Sequence, residues 1–291
     1  MRTDLVQLAY RERLTDGDFE ILAGACGCSA PAELRRRPDL LTEALASPAA
    51  ERLLFGAGHD HAAEERLFVQ ASPFLVFAVA VHATARQLSG SRFCLEWVGL
   101  RQRVPVFDVP ALTEFLDDPM RRLFLIELLT SFTHVVSGSA LHRTRRGWRR
   151  MRWSELDPGR LATLVEAVDD RERPGVYRRL GDLSLFLTGV FPDHTARVGL
   201  RPIEAERLVR AAGLDARSVA EDLIGHGDMG AVGLLEKLGR RFYELAVHTL
   251  RAPRIGSVEI LTDVADRFDK ARRILNHITD RYLFPLRERL F

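Results

Sequence analysis

The stretch 174–192, PGVYRRLGDLSLFLTGVFP, constrains the fold more than any other part of the chain. Val176, Leu180, Leu183, Leu187 and Val190 recur at alternating gaps of four and three, which lines them along one side of a helix. Leu185 and Phe186 fall off that stripe, so the helix is apolar on more than one side and needs several neighbours to cover it. Gly181, Ser184 and Thr188 form a small-residue seam where a second helix can approach closely.

The rest of the chain follows in the same helical idiom. Helices are expected over 3–14, from a cap at Asp16 or Asp18 through 25, and over 29–37, 38–47, 48–55 and 73–88. Asp108 is placed to cap a helix running to Asp117, and a helix over 119–136 has Leu123, Ile126, Phe132 and Val135 in its interior, with Gly138 breaking it. Later helices are expected over 158–168, 202–212, 215–224 and 230–250. The last and longest, 257–284, repeats Leu261, Val264, Phe268, Ala271, Leu275, Ile278 and Tyr282 at strict three-four spacing, the narrow seam of a bundle or coiled-coil helix. That seam serves packing within the chain or against a second copy.

Two segments break the idiom. Residues 93–109 are apolar but interrupted by Gly99 and Pro105, which predicts an irregular extended segment on the core. Around Gly147, two arms rich in Thr, Trp and Arg predict a β-hairpin, expected to be the only β-structure. The expected fold is thus mainly α: a multi-helix bundle-like domain with one short β-hairpin near residues 139–153. The chain reads as one large domain, 1–291, with a soft subdivision into 1–155 and 156–291.

Composition sets outer bounds. A chain of 291 residues can bury about three quarters of its unfolded surface and needs no staples. Basic and acidic residues number 42 and 40, a net charge of +2, so polyanion binding must come from a local patch. Lys237 and Lys270 are the only lysines, an arginine bias that itself weakens inferences from single arginines. Three cysteines, Cys26, Cys28 and Cys94, fit a reducing compartment, and no second Cys/His pair completes a zinc pattern around Cys26-Gly-Cys28. The first residues, MRTDLVQLAYRERL, lack the apolar core of a signal peptide. The most apolar run, 71–85, is shorter than the ~20 residues that cross a bilayer. A cytoplasmic protein with no membrane partner is expected.

Several residue sets carry chemical leads. Arg143, Arg145, Arg146, Arg149, Arg150 and Arg152 cluster around Trp148 and Trp153, and no acid occurs between Glu127 and Glu155. Guanidiniums on a hairpin can follow a phosphate backbone while indoles stack on bases; a solvated hairpin in an Arg-biased chain explains the same residues. His59, His61 and Glu65, with Asp60 and Glu64 beside them, could form a His/His/carboxylate metal set, or simply a polar entry to a helix. Gly225-His-Gly227-Asp-Met-Gly230 fits GxGxxG, but it lacks the preceding strand of a dinucleotide site and reads as a link between helices. Asp182 interrupts the most apolar helix and reads either as a local ion pair with Arg178, one turn earlier, or as a functional carboxylate in a ligand cavity.

Arg272-x4-His277 resembles the Arg-x4-His motif of HEPN-type helical ribonucleases, which implies RNA cleavage by Arg272 and His277 at a dimer interface. More broadly, RRLGDLSLFLTGVFPDHT and RRILNHITDRYLFPL resemble a family of helical bacterial proteins, mostly from GC-rich genomes, which brings no activity with it. The sequence therefore points first to a non-enzymatic helical binding, scaffold or regulatory module, with a protein partner or self-association. The competing expectations are a nucleic-acid-associated protein using Arg143–Arg152, in one form a HEPN-like ribonuclease, and a metal or small-ligand protein. No cofactor is assigned.

Overall fold

Ten of the eleven described prolines stand at the first or second position of a helix. There the missing N–H removes a donor without an intrahelical partner, and the fixed φ starts the turn. The computed structural model describes residues 2–27, 30–56, 70–144, 147–215, 230–250 and 257–284, with 2, 3, 139–153 and 257 described by backbone alone. Helices dominate, so the mainly α class expected from the sequence is the fold. By internal contacts the chain forms two units: Met1–Cys94 with Val106–Thr133 and His277–Phe291, and Leu95–Pro105 with His134–Asn276.

The first unit contains α1 (Arg2–Arg13), α2 (Asp16–Cys26), α3 (Pro31–Arg36), α4 (Pro38–Leu45), α5 (Pro48–Phe55), α6 (Pro73–Ser89), α7 (Val109–Asp117) and α8 (Pro119–Ser131). Its centre is α6, which packs on α4, α5, α7 and α8 and buries an unbroken run from Ala78 to Thr84. The start of α2 is capped by Thr15 rather than by either aspartate. Asp18 instead accepts the Thr15 N–H at 2.8 Å, closing a capping box, and its other oxygen accepts the Ser72 N–H at 2.8 Å. One buried carboxylate thus joins the entries of α2 and α6. Asp108 stands at the N-cap of α7 but makes no side-chain cap bond. Helix α8 ends at Ser131, short of the expected 136, so Phe132 is buried beyond its end while Val135 is exposed.

The second unit is built on α10 (Arg173–Val190) and α13 (Gly230–Thr249), which cross closely. Around them lie β1 (Cys94–Gly99), β2 (Gln102–Val106), β3 (Ser137–Thr144), β4 (Gly147–Ser154), α9 (Pro158–Ala167), α11 (Pro192–Val198), α12 (Pro202–Ala211), α14 (Ser257–Asp266) and α15 (Phe268–Ile278). The small-residue seam of α10 is where α13 approaches. A Cβ added at Gly181 would stand 2.6 Å from the Tyr243 ring, and one added at Gly239 would stand 2.5 Å from Phe268 and 2.8 Å from the Ser184 Cβ. The hydroxyls of Ser184 and Thr188 donate to the carbonyls of Leu180 and Ser184, both at 2.8 Å, so neither leaves a polar group unmet in the seam. Helix α10 has Phe191 at its C-cap rather than a glycine. Its last carbonyls are met from outside: Asn276 Nδ2 donates to Thr188 O at 3.1 Å and Gly189 O at 2.6 Å, and Thr195 Oγ1 to Leu187 O at 3.0 Å.

Two expectations change. Residues 93–109 are not irregular: β1 and β2 pair through the two-residue turn Leu100–Arg101, which makes them an antiparallel hairpin in addition to the expected one. Pro105 is tolerated because a two-stranded sheet has only edge strands. The turn has no Gly or Asn, and Arg101 takes a left-handed φ of 57°. A tertiary contact holds it, since Asp193 Oδ1 accepts the Arg101 N–H at 2.7 Å. Secondly, 257–284 is not one helix. It is interrupted at Arg267, where Phe268 enters the gap over Gly239, and it finishes in a π turn at Thr279–Leu283. All seven seam residues are buried, and so are Ile274, Arg272, Arg273, Asn276 and Thr279. The part 271–279 is therefore covered nearly all round, whereas Glu259, Thr262 and Asp266 keep an exposed stripe on α14, and the chain itself covers the seam.

The glycines of α13 separate two roles. Gly239→Ala is expected to cost about 1–3 kcal/mol by overpacking against Phe268 and Ser184. Gly233→Ala meets no described atom within 4 Å and should stabilise by about 0.4–1 kcal/mol through the unfolded chain. Urea unfolding of the two variants checks both signs.

Candidate functional site

The basic cluster falls on the β3–β4 ribbon. Its strands pair from Ser137 opposite Ser154 to Thr144 opposite Gly147, so Gly147 opens β4 and is not the turn. Arg145 and Arg146 lie outside the described residues. The register sorts the other positions. Ser139 faces Arg152, Leu141 faces Arg150, and Arg143 faces Trp148. Successive strand residues alternate between faces, so these three rungs share one face, each with one arginine position. The opposite face has Gly138 with Trp153, Ala140 with Met151, and His142 with Arg149. Among the described positions, the cluster is therefore a row of three arginine positions on one face and a single one on the other.

The ribbon's root is clamped. The Glu155 N–H donates to Val136 O at 3.1 Å, and Glu155 Oε2 accepts the Val136 N–H at 3.1 Å. The same oxygen accepts Arg179 Nη2 of α10 at 3.1 Å. Both strands run beside α9, whose N-cap Asp157 accepts the Arg160 N–H at 2.9 Å. An isolated two-stranded hairpin is marginal in water, and this root supplies the support it lacks alone.

Arg272 sits in an ionic core of the second unit. Its Nη2 donates to Glu96 Oε1 of β1 at 3.0 Å, its Nε lies 3.1 Å from Glu236 Oε2 of α13, and its Nη1 donates to Asn276 Oδ1 at 3.1 Å. Arg273 Nε lies 3.1 Å from Glu96 Oε2, and Arg240 Nη2 donates to Glu236 Oε1 at 2.9 Å. Each carboxylate is thus shared by two guanidiniums. His277 stands five residues beyond Arg272 on α15, about 140° away around the helix axis. His277 is largely buried, with no hydrogen bond to Nε2 among the described residues, and burial lowers its pKa, helped by Arg281.

Other polar groups are also engaged inside their own units. Asp182 has a partner that its own helix does not reveal: the Tyr243 hydroxyl donates to it at 2.9 Å, with Arg178 at 3.8 Å. Burial and then the Asp182 charge push the Tyr243 hydroxyl pKa well up. Asp193 accepts from Trp97 Nε1 at 2.8 Å, the Arg101 N–H, and Arg103 at 3.2 Å. Burial would raise its pKa, but these donors outweigh that and hold it below the usual range. In the first unit, Glu51 Oε1 accepts Gln87 Nε2 at 2.6 Å and the Tyr282 hydroxyl at 2.9 Å, with Arg86 on its other oxygen. Burial and this carboxylate push the Tyr282 pKa up to about 12.

His59, His61 and Glu65, Cys28, and most of the glycine run 225–230 lie outside the described residues. Among the described residues, no three His, Cys, Asp or Glu side chains gather as metal ligands, and no helix is long and apolar enough to cross a membrane. No protein-family model matches the chain, and neither a curated protein nor a solved structure matches it.

Two outcomes follow from these buried groups. Arg272→Met, which leaves Glu96 with Arg273 alone, Glu236 with Arg240 alone and Asn276 Oδ1 without its donor, should cost about 1–3 kcal/mol, measured by denaturant unfolding. His82 shares a 3.0 Å hydrogen bond with Tyr10, and burial, with the Arg122 charge, lowers its pKa to about 3. Between that value and the ordinary 6.5, the unfolded chain binds a proton that the folded chain refuses, so stability falls as pH drops through this window. His277 acts in the same direction. From pH 6.5 to 5 the His82 share amounts to about 2 kcal/mol, and in His82→Gln the slope of stability against pH should shrink accordingly.

Proposed function

We propose that this protein is a non-enzymatic, cytoplasmic helical binding module that docks an anionic partner on the basic face of its β3–β4 ribbon. The observation that carries this reading is the ribbon's register. It turns a run of arginines into an ordered row at positions 143, 150 and 152, on arms of eight residues rooted by Glu155. The charge of the surrounding sequence supports it, because no acid occurs between Glu127 and Glu155 to neutralise that row locally. With a net charge of only +2, attraction to a polyanion must be local rather than global.

Retention on immobilised heparin tests the docking element. The wild type should elute at higher salt than a folded variant carrying Arg143→Ala, Arg150→Ala and Arg152→Ala. A second variant with Arg11→Ala, Arg36→Ala and Arg207→Ala, exposed positions on other elements, controls for net charge. Equal loss of retention in the two variants would overturn the assignment.

A further inference from the structure

The arginine positions are closely and evenly spaced. Two residues along a strand span about 6.7 Å, which separates Arg152 from Arg150 on β4, and Arg143, on β3 at the next rung of the same face, stands at the cross-strand diagonal of about 7–8 Å from Arg150. The row crosses from β4 to β3 at its outer rung, and there the position opposite Arg143 is Trp148. Three arginine positions on successive rungs, at spacings comparable to neighbouring phosphates along one nucleic-acid strand, with a tryptophan position at the outer rung, have the layout that a short phosphate track with a stacking platform requires.

We propose that this face binds single-stranded nucleic acid, with Arg152, Arg150 and Arg143 meeting three successive phosphates and Trp148 stacking on a base. The proposal deepens the docking reading and rests on it. A single strand fits better than a duplex because a stacking platform needs an unpaired base, whereas the bases of a duplex are stacked on one another. It also fits better than an anionic bilayer. A bilayer is sensitive to the number of basic residues near its surface and not to their pitch along a ribbon, and a row with one arginine per rung gives a bilayer no advantage over scattered charges.

The test is fluorescence anisotropy of labelled dT20, U20 and a DNA duplex of equal length, titrated with the full chain at several salt concentrations. Three phosphates on a single strand give a slope of log K against log salt of about −2, and Arg150→Ala should bring it to about −1.4. Arg150→Lys should keep the slope, which covers the case in which the alanine variant does not fold. Trp148→Ala should weaken binding by about 5- to 150-fold at every salt concentration without changing the slope. The proposal is overturned if the duplex binds as tightly as dT20 or if Trp148→Ala has no effect. It is equally overturned if Arg149→Ala, on the opposite face, lowers the slope as much as Arg150→Ala does. If the ribbon holds the chain on heparin while phosphatidylserine vesicles are bound and dT20 is not, the nucleic-acid assignment falls and the docking reading stands. If both heparin and dT20 fail, both fall.

Discussion

The second unit depends on how closely α10 and α13 cross. Gly181 and Gly239 remove the side chains that would keep the helices apart, and Ser184 fills the crossing with a hydroxyl already bonded to its own helix. Once the backbones are that near, Tyr243 reaches across to Asp182 and Phe268 seats over Gly239. The position of Phe268 sets the start of α15, and α15 then delivers Asn276 to the open carbonyls at the end of α10. Gly189 takes part as well, since a side chain there would meet Leu275 at 2.7 Å. One geometric constraint thus carries through to a helix cap.

The ionic core follows from the same placement. Burying guanidiniums and carboxylates costs several kcal/mol per ion unless geometry restores it. Here Glu96 lies between Arg272 and Arg273, and Glu236 between Arg272 and Arg240. Such an arrangement adds little net stability over a well-packed apolar core, but misplacing any member leaves a charge stranded. It therefore penalises alternative placements of β1 against α13 and α15 more than it rewards the native one. Arg272 has a complete structural role in this network.

Much of the architecture was legible because its signals are local. Prolines at helix starts, the 174–192 stripe and its small seam, and the Thr- and Trp-rich arms each act within a few residues, and each corresponds to an element of the structure. What was missed is governed by contacts distant in sequence. The β1–β2 turn has no turn residue and is held by Asp193, 92 positions away. The break at Arg267 has no glycine or proline, and the partner of Asp182 is 61 residues downstream. Of the candidate site, the basic residues were visible as composition, but their sorting between two faces was not, because strand register is a property of pairing. Gly147 drew attention as the turn, yet the pairing places it on the first rung of β4.

The clamp at Glu155 has a consequence for how the ribbon can change. Because side chains alternate along a strand, a shift of pairing by one residue sends every position to the opposite face. The bonds between Glu155 and Val136 fix the phase from the root outward. Inserting one residue in an arm would scatter the arginine row between faces, whereas inserting one residue pair in each arm would preserve the phase and add one rung to each face. Length along this ribbon is thus variable in steps of two per strand, and lineages that diverge here should differ by even increments.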